Sequence, residues 1–348
     1  MKKTYEIFKQ NLKTKKIAVI GAGVSNIPLL KKLIQENCDV TLFDQKEATD
    51  LNPNIQELIQ NKTLKCSLGK QYLESLHNFD IIFRSPSLLP NNPYLKKEAE
   101  NGCYITTEVE EVIQYAPCQV IGVTGSKGKT TTTTIIAKIL KNLGYHVYVG
   151  GNIGTPLFDQ IENLKKEDIV VLELSSFQLM EMHTSPTIAV VTNISPDHLD
   201  IHGSYEEYIN AKKYIFKNGT KNSILVLNEE DKIVSSFASE AKGEVRYFGT
   251  NSQKDLYYLK NEKIWNQEKE IISTDQLILK GRHNYLNICA ALTAIKDFIP
   301  EKADLATILK SITSVPHRLE FVREINHIKW YNDSASTTPD KCLGGIYA

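Results

Sequence analysis

An excess of charge of either sign is missing from this sequence: 41 Lys+Arg stand against 41 Asp+Glu in 348 residues, for a formal net charge of zero. A neutral chain gives no electrostatic footing for sequence-independent nucleic-acid binding, which needs a basic face. Long hydrophobic runs are missing too. No apolar stretch reaches the roughly 18 residues of a membrane-crossing helix, so no membrane insertion is expected. The first residues, MKKTYEIFKQNLKTKK, are charged and lack the apolar core of a secretory leader. Cysteine is scarce: Cys38, Cys66, Cys103, Cys118, Cys289 and Cys342 are scattered, and none forms C-x-x-C. They read as reduced thiols of a cytoplasmic protein, not as zinc ligands or a disulfide framework. What remains is 41% hydrophobic and 24% charged, an ordinary globular composition that excludes disordered and fibrous classes. At about 100–200 residues per domain, two to three domains are expected.

Apolar runs alternate with helical periodicity, which predicts an α/β fold. In residues 1–116, Ile17-Ala18-Val19-Ile20 reads as a strand running into Gly21-Ala22-Gly23. A helix follows, with Leu29, Leu30, Leu33 and Ile34 on one face, and then a strand Val40–Phe43 ending at Asp44. That is the opening of a Rossmann-like unit. A later strand is expected at residues 80–83 and a helix at residues 108–115, stopped by Pro117. In residues 117–314, a strand at 119–123, a loop at 124–128 and a helix at 129–143 come in succession. Near-continuous apolar runs at 169–172, 188–191 and 224–227 suit a mostly parallel sheet covered on both faces. Residues 254–279 read as irregular or hairpin, and residues 285–298 as a helix. Residues 315–348 hold two β-like segments, 320–323 and 328–331, and a helix start at Thr338. They are too few for a domain of usual size and read as the beginning of a third, with Trp330 and Ile346 exposed.

The strongest motif is Gly125-Ser126-Lys127-Gly128-Lys129-Thr130. It lies between a strand and a helix, as a phosphate loop requires. Backbone N–H groups there converge on phosphate oxygens, Lys129 neutralises charge, and the Thr130 hydroxyl is a Mg²⁺ ligand. Val123 stands where the strict pattern has its first glycine, so the loop is a variant. Glu173 and His198 follow strand ends, where open α/β sheets bind ligands, and both suit a divalent cation holding phosphates. Gly21-Ala22-Gly23-Val24-Ser25-Asn26 fits a dinucleotide turn and a plain strand–helix turn equally well. Asn284 and Asn287 precede or open a helix, and reading a purine edge and capping the helix stand even. Arg318 suits a phosphate or a loop ion pair. By spacing alone, Lys212 in the amphipathic stretch 205–216 is a solvated surface lysine.

Seven ordered signatures, GVTGSKGKTTT, GGNIGTP, LELSSFQL, TNISPDHLDIHGSYEEYINAK, GRHNYLN, PHRLE and YNDSASTTP, resemble those of the ATP-dependent Mur ligases of bacterial cell-wall synthesis. LELSSFQL is similar to the segment of the members that add D-glutamate. The resemblance covers residues from about 16 onward. It implies a Rossmann-like substrate domain, a central P-loop-type ATPase domain and the start of a third, Rossmann-like domain. It also implies a monomer that takes UDP-N-acetylmuramoyl-L-alanine and D-glutamate, with ATP and two Mg²⁺ ions. Gly125, Ser126, Lys127, Gly128, Lys129 and Thr130 would then hold ATP phosphates. Thr130, Glu173 and His198 would ligate Mg²⁺, and Lys212, carbamylated on its amine, would hold the second ion. Asn152 would stand near the γ-phosphate and the acceptor carboxylate. Asn284 and Asn287 would face the adenine side, with Arg318 and Asp333 at phosphates and ribose. Val24, Ser25 and Asp44 would hold the uridine diphosphate, and Ser175 and Gln178 the muramoyl part. Ser87 and Ala335 depart from residues common in the family, glycine and lysine. The alternatives are another Mur-type ligase, or a remnant that binds nucleotide and UDP-sugar without ligating because its third domain is cut short; a nicotinamide-dependent dehydrogenase using the first glycine turn leaves Lys129, Glu173 and His198 without a role.

Overall fold

The structure, a computed structural model, describes residues 4–251, 253–267, 269–336 and 339–346. The strands in chain order are β1 (Lys16–Ile20), β2 (Asp39–Asp44), β3 (Lys65–Leu68), β4 (Ile81–Phe83) and β5 (Tyr104–Thr106). Next come β6 (Gln119–Thr124), β7 (Val147–Gly151), β8 (Ile169–Glu173), β9 (Ile188–Val191), β10 (Ile224–Asn228) and β11 (Glu244–Gly249). The series closes with β12 (Tyr257–Lys260), β13 (Lys263–Asn266), β14 (Lys269–Ser273), β15 (Glu320–Ile325) and β16 (Ile328–Asn332).

The first five strands form one sheet, ordered β3-β2-β1-β4-β5, and every pairing in it is parallel. The next nine form a second sheet, ordered β14-β13-β12-β11-β10-β9-β6-β8-β7. It is parallel from β7 to β12, and β12, β13 and β14 finish it as an antiparallel meander. Residues 254–279, left between irregular and hairpin by the sequence, are therefore three strands at the sheet edge. The expected α/β class and mostly parallel sheets are found.

Alternation sets which residues face which layer. In β6, β8, β9 and β10, Val120, Leu172, Val191 and Leu227 face one side, and Ile121, Val171, Val190 and Val226 the other. The second side is covered by the helices Lys129–Asn142 and Arg282–Ala294. The first is covered by the helix Tyr205–Lys217 and is continuous with the core of the first sheet. Across that seam Tyr5 and Phe83 meet Phe158 edge-on, at 6.2 and 5.9 Å between ring centroids. Lys9 and Lys32 both donate to Glu162, at 2.5 and 2.6 Å.

One local reading needs correction. The helix expected over residues 285–298 begins at Arg282 and ends at Ala294, with a separate 3-10 turn at Lys296–Phe298. Gly281, at φ +100°, ends the incoming loop and starts the helix earlier. β15 and β16 pair as an antiparallel hairpin whose Phe321, Trp330 and Tyr331 are exposed, as is Ile346. The helix after them is Pro339–Ile346; Thr338 lies outside the described residues.

Candidate active site

Strand order places the site. β6 lies between β9 and β8, where the direction of winding reverses, and such a crevice outside the carboxyl ends of strands is where open α/β sheets take ligands. The loop after β6 is tight. A Cβ on Gly125 would stand 2.0 Å from the Thr192 hydroxyl oxygen, and one on Gly128, at φ +83°, would stand 2.6 Å from Asn287 Oδ1. Neighbouring groups pin the loop. Asn193 O accepts from Ser126 N at 2.9 Å, and Asn193 Oδ1 from Lys127 N at 2.9 Å. The Ser126 hydroxyl donates to Ser195 O at 2.9 Å and meets Tyr208 OH at 2.8 Å, so this side chain serves the scaffold. The Lys129 ammonium folds over the loop, donating to Gly125 O at 2.8 Å and Ser126 O at 3.1 Å.

The ends of the flanking strands face this loop. Glu173, the last residue of β8, is 2% exposed. Its Oε1 accepts from Asn152 Nδ2 at 2.9 Å, and among the described residues its buried Oε2 has no partner. An unsatisfied buried carboxylate oxygen is costly unless a cation or donor meets it. His198 sits in the left-handed region at φ +53° and is half exposed, 3.8 Å from Asp197. Among the described residues no three His, Cys, Asp or Glu side chains could hold a metal by themselves. Mg²⁺ is commonly held by one or two carboxylates together with substrate phosphates and water. The donor set of Glu173, Thr130 and His198 beside a phosphate loop fits that pattern.

Lys212 is not a surface lysine: it is 1% exposed. The helix Tyr205–Lys217 buries Tyr208, Ala211, Lys212, Ile215 and Phe216, so Lys212 lies inside the apolar stripe. The spacing of residues 208, 211 and 215 was the signal for it. Its ammonium donates to Gly125 O at 3.0 Å and lies 4.7 Å from the Tyr208 ring centre. Burial, then the nearby Lys129, hold its pKa well below the ordinary lysine value, which favours the neutral amine.

Two cavities meet here. The one on the phosphate-loop side, 470 Å³, is lined by Ser126 to Thr130, Glu173, Asn284, Asn287, Arg318 and Asp333, among others. The other, 660 Å³, opens toward the first sheet and is lined by Val24, Ser25, Ser175, Gln178 and Lys212 among others. Lys129, Asn152, Asp197 and His198 line both. Arg318 reaches Thr130 Oγ1 at 3.3 Å. Asn284 does not cap its helix; its amide donates back to Lys280 O at 2.7 Å. Ser175 and Gln178 form a reciprocal cap at the start of the short helix Ser176–Leu179.

Two expected site residues, Gly125 and Asp44, line neither cavity; Gly125 turns its carbonyl to Lys129 and Lys212, and Asp44 is set apart from the crevice. Its carboxylate accepts from Ala22 N at 2.7 Å and Lys46 N at 2.9 Å, holding the glycine turn rather than facing the crevice. Asp197, Asn193, Tyr208 and Arg84 carry site geometry that the sequence reading did not assign. Asp197 and Asn193 lie in the same post-β9 loop as His198, which was the available signal.

The Mur ligase middle-domain family matches residues 123–295, and the Mur ligase MurD-like N-terminal domain family matches residues 15–107. A UDP-N-acetylmuramoylalanine–D-glutamate ligase of Clostridium kluyveri is 45% identical over 349 aligned residues, which cover 100% of this chain and 76% of the relative. One from Clostridium botulinum is 44% identical over 99% of this chain and 75% of the relative. Among solved structures, a UDP-N-acetylmuramate-alanine ligase from Thermotoga maritima shares the fold at TM-score 0.56. It is 21% identical and covers 95% of this chain and 76% of that one. A pseudomurein peptide ligase type C from Methanothermus fervidus gives TM-score 0.54 at 24% identity, over 96% of this chain and 76% of that one.

Proposed function

The chain belongs to the Mur ligase family, and from that premise we propose that it is the ATP-dependent, Mg²⁺-using ligase that adds D-glutamate to UDP-N-acetylmuramoyl-L-alanine in peptidoglycan synthesis. The observation that carries the reading is the match of the whole chain to about three quarters of the length of D-glutamate ligases, at 44–45% identity. Cavities on both sides of Lys129, Asn152 and His198 support it. No helix among the described residues is long and apolar enough to cross a membrane. A cytoplasmic monomer divided at residues 1–116, 117–314 and 315–348 belongs to the same proposal.

The reaction joins a carboxylate to an amine through an acyl phosphate. An oxygen of the L-alanine carboxylate attacks the γ-phosphorus, the bond from phosphorus to the bridging oxygen breaks, and ADP leaves. The amine of D-glutamate then attacks the acyl carbon, loses a proton, and phosphate departs with the bonding electrons.

This chain's residues bind, orient and neutralise. The N–H groups of residues 125–130 and the Lys129 ammonium hold the β- and γ-phosphates, so that charge gathering at phosphorus is offset. Swinging off its own loop carbonyls is the movement Lys129 makes to do so. Thr130, Glu173 and His198 hold one Mg²⁺, and Asn152 fixes the Glu173 carboxylate. The Lys212 amine would add to carbon dioxide and lose a proton, and the carbamate so formed would supply oxygen ligands for a second Mg²⁺. Mg²⁺ held by these residues would supply charge neutralisation at the transferring phosphate. Asn284 and Asn287 stand at the adenine side, Arg318 and Asp333 at phosphates and ribose. Val24 and Ser25 receive the uridine diphosphate, with Asp44 shaping their turn. Ser175 and Gln178 meet the muramoyl part. Phosphate release from ATP tests the reading: it should require UDP-N-acetylmuramoyl-L-alanine and rise on adding D-glutamate. Release indifferent to both would overturn it.

A further inference from the structure

Arg84 follows β4, the middle of the first unit, yet its side chain crosses into the second. It is 3% exposed. Its Nη2 donates to Met180 O at 2.8 Å and Phe177 O at 3.1 Å, and its Nη1 to Leu88 O at 3.4 Å. Burial lowers its pKa to about 10, so it stays charged near neutral pH. The charge is met by three carbonyls; among the described residues no carboxylate forms an ion pair with it, although Glu110 and Glu181 act on it at longer range.

Those carbonyls belong to the segments that line the larger cavity from the two units. Leu88 stands between Ser87 and Leu89, which line it from the first unit. Phe177 lines it from the second, and Met180 ends the helix that carries Ser175 and Gln178 at its start. The aromatic seam and the Lys9–Glu162–Lys32 pairs also join the units, but none of their residues lines this cavity. Arg84 joins the walls themselves. A guanidinium has donors in a fixed planar fork, whereas an ammonium is a single point on a flexible stem.

We infer that Arg84 is a positioning residue that sets the separation of the two walls receiving the UDP-linked substrate. The inference rests on the functional reading above for the identity of that ligand. The fork fixes a distance between carbonyls contributed by two units, and the side chains that meet the ligand hang from those same segments. Loss of the fork lets the walls part without altering the phosphate loop, which lies beyond β6.

Calorimetry on the full chain tests this, with UDP-N-acetylmuramoyl-L-alanine and ATP titrated separately into wild type, Arg84→Lys and Arg84→Met. Arg84→Met should weaken the UDP-linked ligand about tenfold or more and leave ATP within about twofold, since small misplacements of a binding wall carry large penalties. Arg84→Lys should recover part of the loss, and it decides the matter alone where Arg84→Met does not fold. Unchanged affinity for the UDP-linked ligand, or equal weakening of both ligands, overturns the inference. Wild type that fails to bind the UDP-linked ligand overturns the functional reading instead, and this inference with it.

Discussion

Two strand–glycine–helix turns stand in this molecule, one after β1 and one after β6, and they do opposite things with their polar groups. In the first, Asn26 donates to Ile20 O and Gly21 O at 3.0 Å each, and Asp44 accepts from Ala22 N. The inner polar groups of the turn are taken by its own neighbours, and it meets the larger cavity through Val24 and Ser25. In the second, the pinning falls on Ser126 and Lys127, and the helix start at Gly128 to Thr130 opens into a cavity faced by Glu173 and His198. A glycine turn before a helix is thus a local geometry. Whether it becomes a phosphate cradle depends on what adjacent strand ends bring to it.

The largest effect that sharpens this contrast is expected at Lys129. Lys129→Ala should lower turnover about 10²–10³-fold and weaken ATP in calorimetry, as the loss of one preorganised charge does. Unaltered ATP affinity would place the second turn in the same class as the first. Lys212→Ala should come next, with a loss of about 10²-fold that short carboxylic acids partly restore by standing in for the carbamate. Bicarbonate-dependent activity of the wild type, or its absence, checks the same point.

Asp44→Ala addresses the first turn. Two backbone donors lose a charged acceptor, which costs about 1.5–3 kcal/mol in urea unfolding. ATP affinity should stay as in wild type. An unchanged unfolding midpoint with lost affinity for the UDP-linked ligand would make Asp44 a ligand contact instead of a turn support.

The seam between the two regions gives the smallest expected effect, a pH dependence of stability. Burial raises Glu108 and Glu111 to about 7, although Glu108 accepts from Leu157 N and Phe158 N. Their unfolded pKa is near 4.5, so between there and 7 the folded state binds more protons and stability falls as pH rises. His183, raised by its hydrogen bond to Glu110, acts in the same direction. His202 and His283 are lowered by burial and act oppositely, but their contribution is complete above about 6.5. From pH 6.5 to 8 the thermal midpoint should fall by about 2–4 °C, and Glu111→Gln should flatten the slope.

The sequence exposed the parts that rest on local signals. β1, β2, β6, β8, β9 and β10 are apolar runs, and each appears within a residue or so of its expected place. β3, β5, β7 and β11 were not visible. β5 has only three residues, and β3 reads KCSL with no buried stripe. β7 ends in two glycines, and β11 carries Arg246, buried by ion pairs with Glu244 and Asp297 from outside the strand's apolar pattern. At the site, the phosphate loop and the residues at strand ends follow from spacing and context. Lys212 reads as solvated although Tyr208, Ala211 and Ile215 mark the stripe that holds it, because a lysine's charge argues for the solvent face. The place of Arg84 did not follow from sequence, because its partners lie roughly a hundred residues downstream and are backbone carbonyls, which leave no mark in sequence.

The central claim is that the two cavities meeting at Lys129 carry one ligation. Its most direct test is mass spectrometry of the product when the chain is incubated with Mg²⁺, ATP, UDP-N-acetylmuramoyl-L-alanine and D-glutamate. The account predicts one D-glutamyl addition per UDP-linked acceptor, formed with D-glutamate and not with L-glutamate, and abolished in Lys129→Ala. An acceptor that returns unmodified while ATP is turned over, or one modified equally by either enantiomer, would contradict it.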